Sequence, residues 1–239
     1  MKKYDAIVFD VGDTLIRFAP DYAEIFGDRI ARLGHFADAP RRRAIAKAVH
    51  AAVGEQVRRE QRGERRATDE ELLRRMDEGA LAALVGQPTA GQLAELDALC
   101  GVPLPAQRRV VIDGVPQLLA RLGAAGYRLA IVSNFAATLR DFLEEIGLAQ
   151  CFEVIVVSGA VGVEKPDPRI MRIALDALGA PPDRCLYVGD HPLDVLCAKL
   201  AGMDAAWIAD EGDALPPDMP YAEDHRLPGV ADLAALLGA

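Results

Sequence analysis

The hydrophobic and polar positions of this chain follow two different patterns. After Val110, short runs of Val, Ile and Leu alternate with amphipathic stretches, which predicts strands that alternate with helices. Strands are expected at residues 4–9, 127–134, 152–159, 184–190 and 204–210. Because these strands lack a polar face, they suit a parallel sheet that helices cover on both sides. The sequence therefore predicts a doubly wound α/β core.

Residues 21–99 have a different character, since they are rich in Ala, Arg, Glu and Leu. Stretches 41–60 and 68–86 repeat apolar residues at helical spacing. Thr68 and Glu71 have the spacing of a capping box at a helix start. We therefore predict an α-helical insertion, residues 17–109, within a core that comprises residues 1–16 and 110–239.

Charge and composition narrow the possible functions. The chain has 239 residues, a hydrophobic fraction of 51% and a net charge of −9, which argues against general nucleic-acid binding. Basic and acidic residues are nearly balanced in residues 16–109, so the negative charge lies in the core. A core of this charge would need a cation in order to handle an anionic ligand.

The cysteines and the N-terminus bear on the cellular compartment. The four cysteines have no metal-type spacing and do not indicate a disulfide framework, and we expect Cys151 and Cys185 to be buried thiols. Asp5 and Asp10 come too early for a signal peptide, and no apolar run is long enough to span a membrane. We therefore expect a cytoplasmic location without a membrane partner, and the oligomeric state stays open.

Polar residues stand where the predicted core strands end. Asp10 ends the first strand, Ser133 the second and Asp190 the fourth, and Lys165 follows the third. Each residue alone is typical of a turn, a helix cap or a solvated surface. In open α/β sheets, however, ligands bind outside the carboxyl ends of the strands. The four segments together therefore indicate a site.

The residue types at this edge suggest phosphoryl chemistry. Asp10 and Asp190 offer oxygen ligands to a hard cation such as Mg²⁺. Asp194 could act as a further ligand or orient a metal-bound water. Ser133 could donate a hydrogen bond to a phosphoryl oxygen, and Lys165 could neutralise charge. A carboxylate beside a metal-bound phosphoryl group can attack it to give an aspartyl-phosphate.

Four stretches of this sequence resemble the motifs of a known family. "DVGDTL", "IVSN", "GVEKPDP" and "YVGDHPLD" are similar to the four motifs of the haloacid dehalogenase superfamily, and the resemblance covers the whole core. The insertion resembles the helical cap of the first type in that family. The resemblance implies a Rossmann-like core and a Mg²⁺-dependent phosphohydrolase that acts on a small phosphorylated metabolite.

The resemblance also implies a role for each site residue. Asp10 is the nucleophile, and Lys165 balances its charge. The phosphoryl group is held by Thr14, Ser133 and the backbone near Asn134. The Mg²⁺ ligands and their supports are Asp10, Asp190, Asp194 and the backbone carbonyl of Gly12.

One position departs from the family pattern. In most phosphatases of this superfamily, a second Asp two residues after the nucleophile protonates the leaving group, and here that residue is Gly12. A general acid typically supplies about 10²–10⁴-fold in rate. Asp13 is a weak substitute, because adjacent residues of an extended segment point in opposite directions. Three alternatives follow: the substrate carries a good leaving group, the cap supplies the acid, or the protein is a weakly active or non-catalytic binding protein.

Two other reactions of the superfamily are alternatives. Dehalogenases also lack the second acid, but they work without a metal and lack the arrangement of Gly189 and Asp190. Members that cleave C–P bonds use a cap lysine to form a Schiff base. The only lysine of the predicted cap is Lys47, which we expect to be an ordinary surface residue.

Overall fold

The apolar runs of the sequence form a six-stranded sheet in the computed structural model of the chain, which describes residues 2–61 and 63–239. Its strands are β1 (Ala6–Phe9), β4 (Arg128–Ser133), β5 (Val154–Val157), β6 (Cys185–Gly189), β7 (Asp204–Ile208) and β8 (His225–Leu227). Two further strands, β2 (Ile16–Ala19) and β3 (Arg108–Val111), lie outside this sheet. The sheet order is β5-β4-β1-β6-β7-β8, and all neighbouring strands are parallel. The predicted parallel sheet is confirmed.

The helices belong to two compact units of the chain. One unit comprises the chain up to Arg17 together with Val110–Ala239, and the other is Phe18–Arg109. The helices of the second unit are α1 (Tyr22–Ala31), α2 (Ala39–Gln61), α3 (Asp69–Val85) and α4 (Ala90–Glu95). Those of the first unit are α5 (Val115–Ala124), α6 (Leu139–Glu145), α7 (Ser158–Val161), α8 (Arg169–Leu178), α9 (Pro192–Leu200) and α10 (Leu233–Leu237).

Alternate residues of the central strand β1 belong to two different apolar clusters. Ile7 and Phe9 belong to a cluster with residues of α5, α6 and α10. Ala6 and Val8 belong to a second cluster with residues of α8 and α9. Because successive side chains of a strand point to opposite faces, the helices cover both sides of the sheet. This arrangement confirms the doubly wound core.

The Asp-Pro pair before α8 predicts Asp167 as the N-cap and Pro168 as the first helical residue, and the helix begins one position later. Pro168 is the N-cap, because its carbonyl accepts the N–H of Arg172 at 3.1 Å. The Asp167 carboxylate still accepts the backbone N–H of Arg169 at 2.9 Å. That expectation was therefore wrong in register, although Asp167 does satisfy a free N–H group of the first turn.

Three short strands were not predicted. β8 has three residues and pairs with β7, while β2 and β3 form a separate two-stranded sheet. The β8 sequence, His-Arg-Leu, has too few apolar positions to show a strand period. Its pairing is decided by the neighbouring strand β7 and not by local propensity.

The helical unit has its own apolar core. Phe26 and Ile30 of α1, Ile45 of α2 and Leu81 of α3 are fully buried in one cluster. The predicted capping box is confirmed, since Thr68 Oγ1 accepts the N–H of Glu71 at 3.1 Å while Glu71 Oε2 accepts the N–H of Thr68 at 2.8 Å. Among the described residues, we find no helix that combines the length and the hydropathy needed to cross a membrane.

All four cysteines are free thiols. Cys185 is buried, as expected, and so is Cys197. The expectation of burial was wrong for Cys151, which is only half-buried. Cys151 lies in a short turn, Ala149–Cys151, that precedes the edge strand β5, where less of the protein covers it.

Candidate active site

The carboxyl ends of three neighbouring strands bring the polar residues together. β1 lies between β4 and β6, so Asp10 after β1 lies beside Ser133 at the end of β4 and Asp190 after β6. The N–H of Asp10 donates to the Val188 carbonyl at 2.9 Å, which extends the pairing of β1 with β6 up to Asp10. This edge is where open α/β sheets bind ligands.

Lys165 joins two of the carboxylates. Its Nζ lies 2.8 Å from Asp10 Oδ1 and 2.5 Å from Asp194 Oδ1, and its side chain is only 6% exposed. Burial alone would lower the pKa of Lys165, but the charges of Asp10 and Asp194 outweigh it and raise that pKa well above the ordinary value. Lys165 is therefore an ammonium ion at neutral pH.

Three carboxylates crowd around the same place. Asp10, Asp190 and Asp194 each offer an oxygen, and these oxygens lie within 4.8 Å of one another. Burial, followed by the charges of Asp194 and Asp10, raises the pKa of Asp190 well above its ordinary value. Burial also raises the pKa of Asp10, against the opposing effect of Lys165. Carboxylate oxygens are the ligands of hard divalent cations, and such a cation would offset this repulsion, so these residues fit Mg²⁺.

Asp194 supports both the lysine and the loop after β6. While its Oδ1 accepts from Lys165, its Oδ2 accepts the backbone N–H of His191 at 3.0 Å. His191 in turn caps α9, because its Nδ1 accepts the N–H of Leu193 at 3.1 Å. Each oxygen of Asp194 therefore accepts one hydrogen bond, and both ligation of a cation and an orienting role for Asp194 stay predictions.

The predicted phosphate-binding hydroxyls lie next to the carboxylates. Thr14 is fully buried, and its Oγ1 donates to Asp190 Oδ1 at 3.3 Å. Ser133 is buried, and its hydrogen bond to Asp10 acts to lower the pKa of that carboxyl. Thr14 therefore contacts Asp190 and Ser133 contacts Asp10, and a phosphate contact by either hydroxyl stays a prediction.

Asn134 has a different structural position from the hydroxyls. Its Oδ1 accepts the backbone N–H of Lys165 at 2.8 Å, and its Nδ2 donates to the Lys165 carbonyl at 3.0 Å. The amide side chain therefore ties the end of β4 to the loop that carries Lys165. A phosphate contact through the backbone near Asn134 stays a prediction.

Gly12 occupies a place with room for a side chain. A Cβ atom built there would lie 4.0 Å from Phe135 Cε2, which is an ordinary contact, and Gly12 does not have a left-handed backbone conformation. Asp13 does have one, with φ of 49°, in an exposed turn. The expectation that Asp13 continues an extended segment was therefore wrong, and its charge contributes to the raised pKa of Asp190.

Two aromatic residues of this site were missed as site residues. The Tyr187 hydroxyl lies 3.0 Å from Lys165 Nζ, and burial raises the pKa of Tyr187 well above its ordinary value, so the phenol stays protonated. Trp207 Nε1 donates to the Asp190 carbonyl at 2.8 Å. Both lie within apolar strands, where the sequence predicts only core packing. The signal in the sequence is a tyrosine or tryptophan in an otherwise apolar strand, because its polar atom needs a hydrogen-bond partner when it is buried.

Lys47 bears on the C–P cleavage alternative. It is the only lysine in residues 17–109, and it is exposed on α2. This placement is typical of a surface lysine. We therefore do not propose Schiff-base chemistry for Lys47.

Comparison with known proteins gives a family match over most of the chain. Residues 4–202 match the family model described as haloacid dehalogenase-like hydrolase. The chain is 43% identical over 106 residues to a phosphoserine phosphatase of Thermus thermophilus, which is 44% of this chain and 41% of that protein. It is 39% identical over 102 residues to a phosphoglycolate phosphatase of Rhodospirillum rubrum, which is 42% of each. The chain thus spans less than half the length of these curated relatives.

Solved structures are similar along the whole chain. A crystal structure of a dehalogenase with an intermediate complex has a TM-score of 0.62 at 21% identity and covers 100% of this chain and 99% of its own. At this level of identity, the similarity concerns the fold alone.

Proposed function

The chain belongs to the haloacid dehalogenase-like hydrolases, and on this basis we propose that it is a Mg²⁺-dependent phosphohydrolase of small phosphorylated metabolites. The two relatives named as phosphatases support the reaction class. The crowded carboxylates support the need for a cation. The net charge of −9 argues against a nucleic-acid partner, and the free thiols are consistent with a cytoplasmic location.

The chemical step begins at Asp10. One of its carboxylate oxygens attacks phosphorus, the bond from phosphorus to the leaving-group oxygen breaks, and an aspartyl-phosphate forms. Water then attacks this phosphorus, which releases phosphate and restores the carboxylate. The observation that carries this proposal is the contact of 2.8 Å between Asp10 and the buried Lys165, at a site with two further carboxylates.

The remaining residues hold the reacting groups in place. Asp10 and Asp190 would hold Mg²⁺ with the Gly12 carbonyl, and Asp194 would orient Lys165. When bound, the cation neutralises charge on the phosphoryl oxygens. Thr14 and Ser133 donate hydrogen bonds to the phosphoryl group, and Lys165 balances the charge of the nucleophile.

The leaving group has to depart without the usual acid, because Gly12 has no side chain. We therefore propose that preferred substrates carry leaving groups that need little protonation, such as aryl or acyl phosphates. The helical unit is proposed to act as the cap that selects the substrate, with residues 17–109 as its bounds. Its geometry sets specificity, so the identity of the metabolite is left to experiment.

A screen of purified protein against phosphate esters, with Mg²⁺ or with EDTA, tests this function. We expect hydrolysis only with Mg²⁺. The matched variant Asp10→Asn should lose turnover and keep its fold, because an amide cannot form the acyl phosphate. Substantial turnover by this variant would refute the covalent mechanism. A wild-type protein that binds phosphate esters without hydrolysing them would support the non-catalytic alternative.

A further inference from the structure

The Lys165 ammonium has a full set of three acceptors. Two are the carboxylates of Asp10, at 2.8 Å, and Asp194, at 2.5 Å, and the third is the Tyr187 hydroxyl at 3.0 Å. An ammonium group has three N–H donors, so each proton of Lys165 has one partner. The direction of all three N–H bonds is therefore determined by side chains of the protein.

Tyr187 meets the lysine with a lone pair. Its hydroxyl donates its single proton to the Val132 carbonyl at 2.7 Å, which is much closer than Asp194 Oδ1 at 3.5 Å, so its oxygen accepts from Lys165. Tyr187 is 1% exposed, and its ring centroid lies 5.5 Å from Lys165 Nζ. Val132 directly precedes Ser133, so this hydroxyl also connects the lysine to the strand end that carries a phosphate-binding residue.

The charge of the groups that accept hydrogen bonds from Lys165 matters as much as their position. The charges of Asp194 and Asp10 already raise the pKa of Asp190. A carboxylate as the third acceptor of the Lys165 ammonium would add to this repulsion. A phenol hydroxyl fixes the third N–H without adding negative charge. We infer that Tyr187 is a positioning residue, which holds the Lys165 ammonium in place between Asp10 and Asp194. This inference rests on the proposed function, in which Lys165 acts during phosphoryl transfer.

A double-mutant cycle with Tyr187→Phe and Lys165→Met tests this inference, with p-nitrophenyl phosphate and Mg²⁺ in the assay. Phenylalanine keeps the ring and removes only the hydroxyl. We expect Tyr187→Phe to lower kcat by about 10- to 100-fold and to change KM by less than about 2-fold. In the Lys165→Met background, the same change should alter the rate by less than about 2-fold, because no ammonium is left to orient. Equal losses in both backgrounds would overturn the inference.

Tyr4→Phe is the matched control. Tyr4 is also buried, at 2% exposure, and its hydroxyl donates to Asp204 Oδ2 at 2.7 Å and lies 2.9 Å from His225 Nε2. This substitution removes a buried hydroxyl before the N-terminal end of β1, whereas Asp10 follows its C-terminal end. It should lower the melting temperature and leave kcat unchanged. A similar fall in kcat for both tyrosine variants would assign Tyr187 a merely structural role.

Melting temperatures of the same variants separate this inference from the proposed function. Tyr187→Phe should lower the melting temperature more in the Lys165 background than in the Lys165→Met background, where no buried N–H loses its partner. Folding of the double variant, but not of Tyr187→Phe alone, would support the inference, whereas failure of both to fold would overturn it. A wild-type protein that lacks phosphatase activity would overturn the proposed function and the catalytic part of the inference. The melting temperatures of the variants in the double-mutant cycle would then decide whether Tyr187 positions Lys165.

Discussion

Gly189 and Asp194 lie so close together that a Cβ atom on Gly189 would be 2.5 Å from Asp194 Cγ. Such a separation does not occur in real structures, so a side chain at position 189 must displace Asp194. Asp194 is the residue that accepts from Lys165 Nζ and from the N–H of His191. The glycine therefore allows the close approach on which the position of Lys165 depends.

We predict that Gly189→Ala destabilises the protein by about 1–3 kcal/mol and greatly lowers turnover, because it displaces the Asp194 carboxylate. Chemical unfolding and kcat measure the two effects. Gly12→Ala is the matched control, since a Cβ atom at Gly12 meets only Phe135, at 4.0 Å. If the two alanine variants had equal stability and activity, the packing between Gly189 and Asp194 would not be important.

We predict that Gly12→Asp restores a proton donor and accelerates alkyl phosphates most, by up to about 10²-fold. The open space beside Gly12 and its ordinary backbone conformation should let the variant fold. Single-turnover rates with alkyl and aryl phosphates provide the measurement. In the wild type, aryl phosphates should react much faster than alkyl phosphates. Similar chemical-step rates for both in the wild type would argue for a proton donor elsewhere.

The stabilisation by Mg²⁺ should depend on pH. The pKa values of Asp10 and Asp190 are raised above the ordinary 3.8, so the metal-free folded state binds protons more tightly than the unfolded state. The stability from these two groups is full below pH 3.8 and is lost as the pH rises through the raised pKa values. Mg²⁺ needs deprotonated carboxylates, so it competes best at high pH.

The expected result is a rise in melting temperature of about 5–10 °C when Mg²⁺ is present at 100 times its dissociation constant near pH 7.5. Near pH 5 the rise should be clearly smaller. Asp190→Asn is the control and should lose most of the rise in melting temperature at both pH values. A gain that does not change with pH would contradict a cation site built from these two carboxylates.

Trp207 should report metal binding without any substrate. It is the only tryptophan of the chain, its Nε1 donates to the Asp190 carbonyl at 2.8 Å, and the Arg226 guanidinium lies 4.7 Å from its ring centre. We predict a saturable change in intrinsic fluorescence on titration with Mg²⁺. The change should be absent in Asp190→Asn and in Trp207→Phe. A wild type that gains melting temperature without any change in fluorescence would place the cation away from Asp190.

Much of the fold follows from the sequence because it depends on short-range patterns. The parallel sheet follows from apolar runs, since a strand that is buried on both faces needs apolar residues at every position. The capping box at Thr68 follows from a spacing of three residues. β8 could not be predicted, because its three residues pair only in the presence of β7.

The sequence by itself determined which chemical groups stand at the carboxyl edge, since Asp10, Ser133 and Asp190 each lie at the end of a predicted strand. Only the tertiary structure decided how these groups are paired. The contacts of Lys165 with Asp10 and Tyr187 join residues separated by 155 and 22 positions, and no local pattern encodes the direction of an ammonium group. The physical reason is that a buried polar atom takes its partner from whatever side chains the packed elements bring within hydrogen-bonding distance, and the packing of the sheet and helices decides which those are.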